Sequence, residues 1–125
     1  MEFLKCAVCG KTVAMVKPGA PDTICCGQPM SQLVPNTSDG AGEKHLPVYE
    51  VKDGVLSVKV GAVEHPMLDA HHIEWIAVET AFGNQRKELD PLGKPEASFA
   101  LLPGDSVKAV YEYCNLHGLW RLDLA

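Results

Sequence analysis

A mainly β chain, with a small cysteine-rich module ahead of a larger antiparallel sandwich, is the fold class the sequence predicts. Three observations predict it. Four of the five cysteines fall within residues 1 to 26. From residue 47 onward, short runs of β-branched and aromatic residues alternate with polar ones between Gly-, Pro- and Asp-rich turns. No stretch carries the 3.6-residue periodicity of an amphipathic helix, and Met67 to Ala70 allows one turn at most. At 125 residues the chain accommodates a small module and a domain large enough to bury an apolar core.

The module comes first. Cys6-Ala7-Val8-Cys9-Gly10 is a metal knuckle, its glycine freeing the backbone to turn amides toward the sulfurs, and Cys25-Cys26-Gly27 supplies a second pair. Between them lies Lys17-Pro18-Gly19-Ala20-Pro21-Asp22. So much Gly and Pro in so short a segment cannot build an apolar core, so a metal must supply the folding free energy. Adjacent residues of an extended chain point to opposite faces, so Cys25 and Cys26 reach one ion only through a sharp turn and should make a distorted tetrahedron. That spacing shifts the reading from zinc toward iron, with a structural zinc knuckle as the alternative.

Residues 31 to 43 read as a polar linker with a domain boundary at about residue 36, giving domains 1–36 and 37–125. Val48 to Val51 and Val55 to Val60 flank Asp53-Gly54, the strongest short hairpin signal. Ile73 to Val78, Gln85 to Leu89, Ala97 to Leu102, Val107 to Tyr113 and Leu119 to Leu124 complete seven strands. Seven short strands with turns between them predict an immunoglobulin-like antiparallel β-sandwich.

The remaining ligand-type residues fall between those strands: His45 before the first, His65 and His71 between the second and third, Cys114 and His117 in the last connection. Loops gather at the ends of a sandwich, so four imidazoles and one thiolate can converge. His72 adjoins His71, faces the other way and is read as structural. Five ligands exceed the four of a structural zinc site and leave one octahedral position vacant. Four neutral imidazoles around an axial thiolate suit iron, and sulfur trans to the open position donates electron density that favours reduction of what binds there.

The net charge of −5 and the lack of a Lys/Arg cluster argue against nucleic acid and anionic membrane surfaces as partners. No secretory signal or apolar run of transmembrane length appears, and unpaired ligand-type cysteines point to a reducing, cytoplasmic setting.

Taken in order, Cys6-x-x-Cys9 with Cys25-Cys26, Glu43-Lys44-His45-x-Pro47, His65-Pro66-Met67-x-x-x-His71-x-Ile73-Glu74-Trp75 and Cys114-Asn115-x-His117-Gly118 resemble the desulfoferrodoxin family of two-iron superoxide reductases over nearly the whole chain. The resemblance implies a desulforedoxin/rubredoxin-like module holding Fe(Cys)4 on Cys6, Cys9, Cys25 and Cys26. It implies a second iron, Fe(His)4(Cys), on His45, His65, His71, His117 and Cys114. It also implies a homodimer, a rubredoxin-type electron donor, and one-electron reduction of superoxide to hydrogen peroxide at the ferrous His4Cys centre. By motif position, Lys44 would draw the anion in and help deliver a proton through water, while Glu43 would occupy the sixth position in the oxidised state and assist product release. At position 72 the family favours an aromatic residue such as tyrosine, where this chain has His72. Physics agrees on Lys44: exposed charges beyond about 8 Å are screened, whereas a lysine about 4 Å from an anion is worth roughly 4 kcal/mol at an effective dielectric near 20.

Two other readings compete. A blue-copper electron carrier also uses Cys and His from a late sandwich loop, but it needs two histidines and an axial methionine, and none follows His117. A zinc ribbon fused to a binding sandwich is the second.

Overall fold

The computed structural model describes residues 1–124, as two compact units, Met1–Val34 and Pro35–Ala125. In the first unit, β1 (Glu2–Lys5) pairs antiparallel with β2 (Thr12–Met15) on one side and β5 (Ser31–Gln32) on the other; β3 (Ile24–Cys25) and β4 (Gln28–Pro29) form a separate hairpin. Phe3 and Cys6 are its only buried hydrophobics among the described residues. One phenyl ring is too little apolar burial to offset the ordering of such a chain, so the cysteine cluster has to carry the unit's stability. Ser31 and Gln32, read from sequence as the start of a linker, instead complete the β1 sheet: two polar residues with no alternating apolar pattern give no strand signal, and their pairing is set by β1.

The second unit is a two-layer β-sandwich, as the strand pattern predicts. One sheet has the order β10-β7-β6 and the other β12-β11-β8-β9, where β6 is Pro47–Lys52, β7 Val55–Val60, β8 Ile73–Thr80, β9 Gly83–Glu88, β10 Glu96–Ala100, β11 Val107–Cys114 and β12 Gly118–Asp123. Strand β7 buries Leu56, Val58 and Val60 and exposes the residues between, the period-2 alternation of a half-buried strand. Those three and Phe99 of β10 pack with Ile73, Ile76 and Val78 of β8 and Val110 and Cys114 of β11 in one core cluster. The Asp53-Gly54 hairpin turn has φ of 52° and 74°, the left-handed pair that a two-residue turn requires and that glycine adopts without strain.

The sandwich differs from the sequence reading in where its helix lies. Met67 to Ala70 is not a helical turn; Leu68 and His71 face each other across an isolated bridge. Among the described residues the single helical turn is α1, Gly42–His45, capped by a hydrogen bond from the Leu46 amide to the Gly42 carbonyl at 2.8 Å. A four-residue turn is too short to show periodicity, so tertiary contacts define it.

One core position breaks the apolar rule. Glu112 of β11 is fully buried and both carboxylate oxygens are without a hydrogen-bond partner among the described residues. Burial alone pushes its carboxyl up to about 9. The folded value lies above the ordinary carboxylate value, so the protonated carboxyl's contribution to stability is present in acid and is lost as pH rises toward 9. Replacing Glu112 by Gln should therefore remove a pH-dependent loss of stability of up to about 1.4 kcal/mol per pH unit between about pH 5 and pH 8. Denaturant unfolding of both proteins across that range checks it; parallel pH profiles would contradict it.

Candidate metal centres

Two separate groups of ligand atoms come together, one in each unit, and within each group all atoms lie within 4.8 Å of one another. The first group is Cys6, Cys9, Cys25 and Cys26. The Cys9 amide approaches Cys6 Sγ at 3.4 Å and holds that thiol down at about 6. The sharp turn that adjacent cysteines demand is present: Cys25 closes β3, and Cys26 takes a φ of 52°. Its sulfur stands 4.0 Å from Cys25 Sγ, and Cys25 Sγ stands 3.6 Å from Cys9 Sγ. A regular tetrahedron with 2.3 Å metal–sulfur bonds has edges of about 3.8 Å. The unequal pair of edges thus brackets the size of a four-thiolate cage. Without a cation four sulfurs at this range compete for protons, and sharing with Cys9 pushes Cys25 up to about 12.

The second group is His45, His65, His71, Cys114 and His117. His45 ends α1, His65 and His71 lie between β7 and β8, and Cys114 is the last residue of β11 rather than part of the connection. It is paired with Ile73 on one side and with Gly118 on the other, so the thiol is held by strand geometry and His117 alone comes from the turn. His45, His65 and Cys114 are buried; His71 and His117 are half-buried.

The ring geometry gives the group a shape. His45 and His65, His65 and His71, His71 and His117, and His117 and His45 have centroids 4.7, 4.6, 5.1 and 4.7 Å apart, each pair within 20° of perpendicular. His45 and His71 are 6.5 Å apart and tilted by only 30°, so they stand across from each other. Four imidazoles therefore form a square. Its measured donor edges, His45 Nε2 to His65 Nε2 at 3.2 Å and to His117 Nδ1 at 3.1 Å, match the side of a square with bonds of about 2.1 Å.

Tautomers show what the square holds. The Nδ1 of His45 lies 2.8 Å from the Ala41 carbonyl and that of His65 lies 2.7 Å from the Pro66 carbonyl. A carbonyl only accepts, so both Nδ1 atoms carry the proton and both Nε2 lone pairs point at each other. Burial holds both imidazoles neutral, His65 down to about 4. The Nε2 of His71 is buried with no hydrogen-bond partner among the described residues. Lone pairs facing one another at this distance fit a cation between them and little else. Burial pushes the Cys114 thiol up, while the amides of His117 and Leu116 pull it down.

Glu43 and Lys44 sit on α1 immediately before His45 and are exposed. The Lys44 charge is felt at His45 and at His71, where it lowers both imidazoles after burial and the neighbouring imidazoles have done so. The Glu43 carbonyl accepts from the Val63 amide at 3.0 Å. His72 stands outside the group: its amide donates to Asn115 Oδ1 at 2.8 Å and its Nδ1 meets the Leu68 carbonyl at 2.9 Å.

Several supporting residues carried no sequence signal. A Cβ on Gly61 would meet the Glu43 carbonyl oxygen at 2.6 Å and the Lys44 carbonyl carbon at 2.7 Å, so only glycine lets α1 lie there. A Cβ on Gly40 would meet the His45 ring at 2.8 Å. Asn115 could have been suspected from its place beside Cys114; its Nδ2 donates to the Ala70 carbonyl at 3.1 Å, tying the last turn to the His71 loop. Trp120 stacks on the His45 ring, centroids 4.9 Å apart, and its Nε1 donates to the His117 carbonyl at 3.2 Å. One indole thus braces two ligands.

The desulfoferrodoxin family model matches residues 37–123, and the model for the desulfoferrodoxin N-terminal domain matches residues 1–33. The desulfoferrodoxin of Syntrophotalea carbinolica is 47% identical over 120 residues, covering 96% of this chain and 94% of that protein. The superoxide reductase of Thermococcus kodakarensis is 32% identical, covering 74% of this chain and 94% of that protein. Among solved structures, the superoxide reductase from Treponema pallidum superposes with a TM-score of 0.82 at 39% identity, covering 96% of this chain and 98% of that one.

Loss of an outer brace typically lowers metal affinity about 10–100-fold. Trp120→Leu should speed chelator-driven metal release by about that factor, and Trp120→Phe, which keeps a ring but no N–H, by less. Release rates equal to the parent's would show that the indole does not hold the ligands.

Proposed function

The chain belongs to the desulfoferrodoxin family, and from that premise we propose that it is a superoxide reductase that turns superoxide into hydrogen peroxide at the His4Cys centre. The observation that carries the reading is the square of four imidazoles with a fifth, sulfur donor within 4.8 Å of each, a set that leaves one position of an octahedron for a small ligand. Two iron ions per chain belong to this family, one for Cys6, Cys9, Cys25 and Cys26 and one for His45, His65, His71, His117 and Cys114. An iron held by the second set would, in its ferrous form, supply the one electron that together with two protons converts superoxide to hydrogen peroxide.

What the protein's own groups contribute follows from their chemistry. Carbonyls of Ala41 and Pro66 fix the tautomers and ring planes of His45 and His65, so these two imidazoles are held in place for the reaction. Cys114 is placed to donate electron density once a cation is bound: burial pushes its thiol up, the amides of His117 and Leu116 pull it partly back, and a bound cation would hold the sulfur deprotonated. Lys44 is the proposed catalytic cation: it sets a positive potential at the site of a chain whose net charge is −5, draws the anion in and passes a proton through water. Glu43, its neighbour on α1, is proposed to take the open position in the oxidised state and to assist product release. The four-thiolate group is coordinatively closed, which suits it to holding or passing electrons and to folding residues 1–36 as the first domain; residues 37–125 form the catalytic one. A rubredoxin-type donor, a homodimer and a cytoplasmic setting complete the proposal.

Lys44→Ala should slow the second-order reaction with superoxide roughly tenfold and flatten its dependence on ionic strength, while iron content stays at the parent's level. Pulse radiolysis at several salt concentrations reads this, and an unchanged rate would remove Lys44 from the mechanism. Cys9→Ser should abolish the first centre, visible as loss of its charge-transfer bands, yet leave reaction at the second; loss of that reaction too would make the first centre obligatory.

A further inference from the structure

His71 is the ligand whose own ring is held least. The Nδ1 atoms of His45 and His65 meet the carbonyls of Ala41 and Pro66, and the His117 carbonyl accepts from Trp120 Nε1. No carbonyl meets the His71 ring among the described residues, and its edge with His117 is the widest of the square at 5.1 Å. Its place must therefore come from its backbone. Within the β7–β8 connection, Leu68 and His71 exchange amide-to-carbonyl bonds at 2.9 and 3.1 Å, and Met67 Sδ accepts from the Ile73 amide at 3.4 Å. These bonds fold the loop onto itself and onto β8, and leave its relation to the turn of His117 to be fixed by something else.

Asn115 supplies that relation. Strand β11 shifts register between Tyr113 and Cys114, which brings Cys114 opposite Ile73 and residue 115 opposite His72. A hydrogen-bonded antiparallel pair exchanges two bonds, amide to carbonyl each way. Asn115 makes the first with its backbone, its amide donating to the His72 carbonyl at 3.1 Å. It makes the second with its side chain, Oδ1 accepting from the His72 amide at 2.8 Å. The side-chain amide thus carries the ladder on for one residue after the main chain has left it for the turn that delivers His117. Nδ2 then donates to the Ala70 carbonyl at 3.1 Å. Three bonds from one residue grip Ala70 and His72, the neighbours of His71 on either side. Every hydrogen bond that joins residues 67–72 to residues 115–117, among the described residues, involves Asn115.

We infer that Asn115 is a positioning residue of the five-donor centre: it sets where His71 stands relative to Cys114 and His117, and so closes the half-open side of the square. The residue type follows from the two side-chain bonds. Aspartate offers the acceptor for His72 but no donor for Ala70, and alanine offers neither. The other two donors near the turn have their own supports, since strand pairing holds Cys114 on both sides and Trp120 braces the His117 carbonyl. The Asn115 side chain therefore acts on one donor of the five. The inference rests on the centre to which superoxide reduction is assigned above, but it concerns how the metal is held, so it can fail while that reaction stands.

Chelator-driven metal release from the full metal-loaded chain tests it through double-mutant cycles. Asn115→Ala should speed release from the second centre about 10–100-fold, the usual effect of losing an outer brace. In a His71→Ala background, where the ligand it positions is gone, the same substitution should change the rate less than about threefold, whereas in a His117→Ala background it should keep its full factor. Cobalt(II) in place of iron gives a second readout. The histidine centre of Asn115→Ala should show the stronger visible absorption of an ion that has lost a donor, at the parent's cobalt content. A factor that persists in full without His71, or that vanishes equally without His117, makes Asn115 a general support of the fold and overturns the inference. Should His71→Ala retain no metal, the cobalt spectrum decides: a change supports the inference, and an Asn115→Ala spectrum identical to the parent's overturns it.

Discussion

Two imidazole lone pairs facing each other across 3.2 Å, those of His45 and His65, are the constraint on which the centre at the rim of the sandwich depends. A proton on either Nε2 would relieve the repulsion, but burial disfavours the imidazolium and outweighs the carbonyl bonds at Nδ1 that favour it. A cation between them converts the conflict into bonds. The fold stores this arrangement by spreading the five donors over four elements: α1, the β7–β8 connection with both His65 and His71, the end of β11 and the turn before β12. The sheets' own hydrogen bonding supplies the rigidity.

The two centres divide the problem differently. In the sandwich, a core of Leu56, Val58, Ile76, Val110 and their neighbours exists without the metal, and the site is built at its rim. In the first unit, a single buried phenyl ring leaves the four sulfurs as the principal source of cohesion. One centre is an addition to a fold; the other is the reason its unit has one.

Much of this was legible in the sequence, and the reasons differ by element. The sandwich strands announce themselves because alternation and turn residues report local physics, as at Val55–Val60 with Asp53-Gly54 before it. The nine ligands were legible because metal chemistry restricts residue types so strongly. The helical turn of Gly42–His45 and the strand pairing of Ser31–Gln32 were not, since each is too short to show a period and exists through contacts made elsewhere. The need for glycine at Gly40 and Gly61 and the bracing by Trp120 belong to packing between residues distant in sequence, such as Trp120 and His45.

The unequal burial of the five donors has a further consequence. His45, His65 and Cys114 are enclosed, while His71 and His117 are half open to solvent and stand next to each other in the square. Exchange of the ion must begin on that side, with the last two ligands made being the first two lost. The centre is in this sense a pocket with three enclosed donors and one wall, His71 and His117, open to solvent.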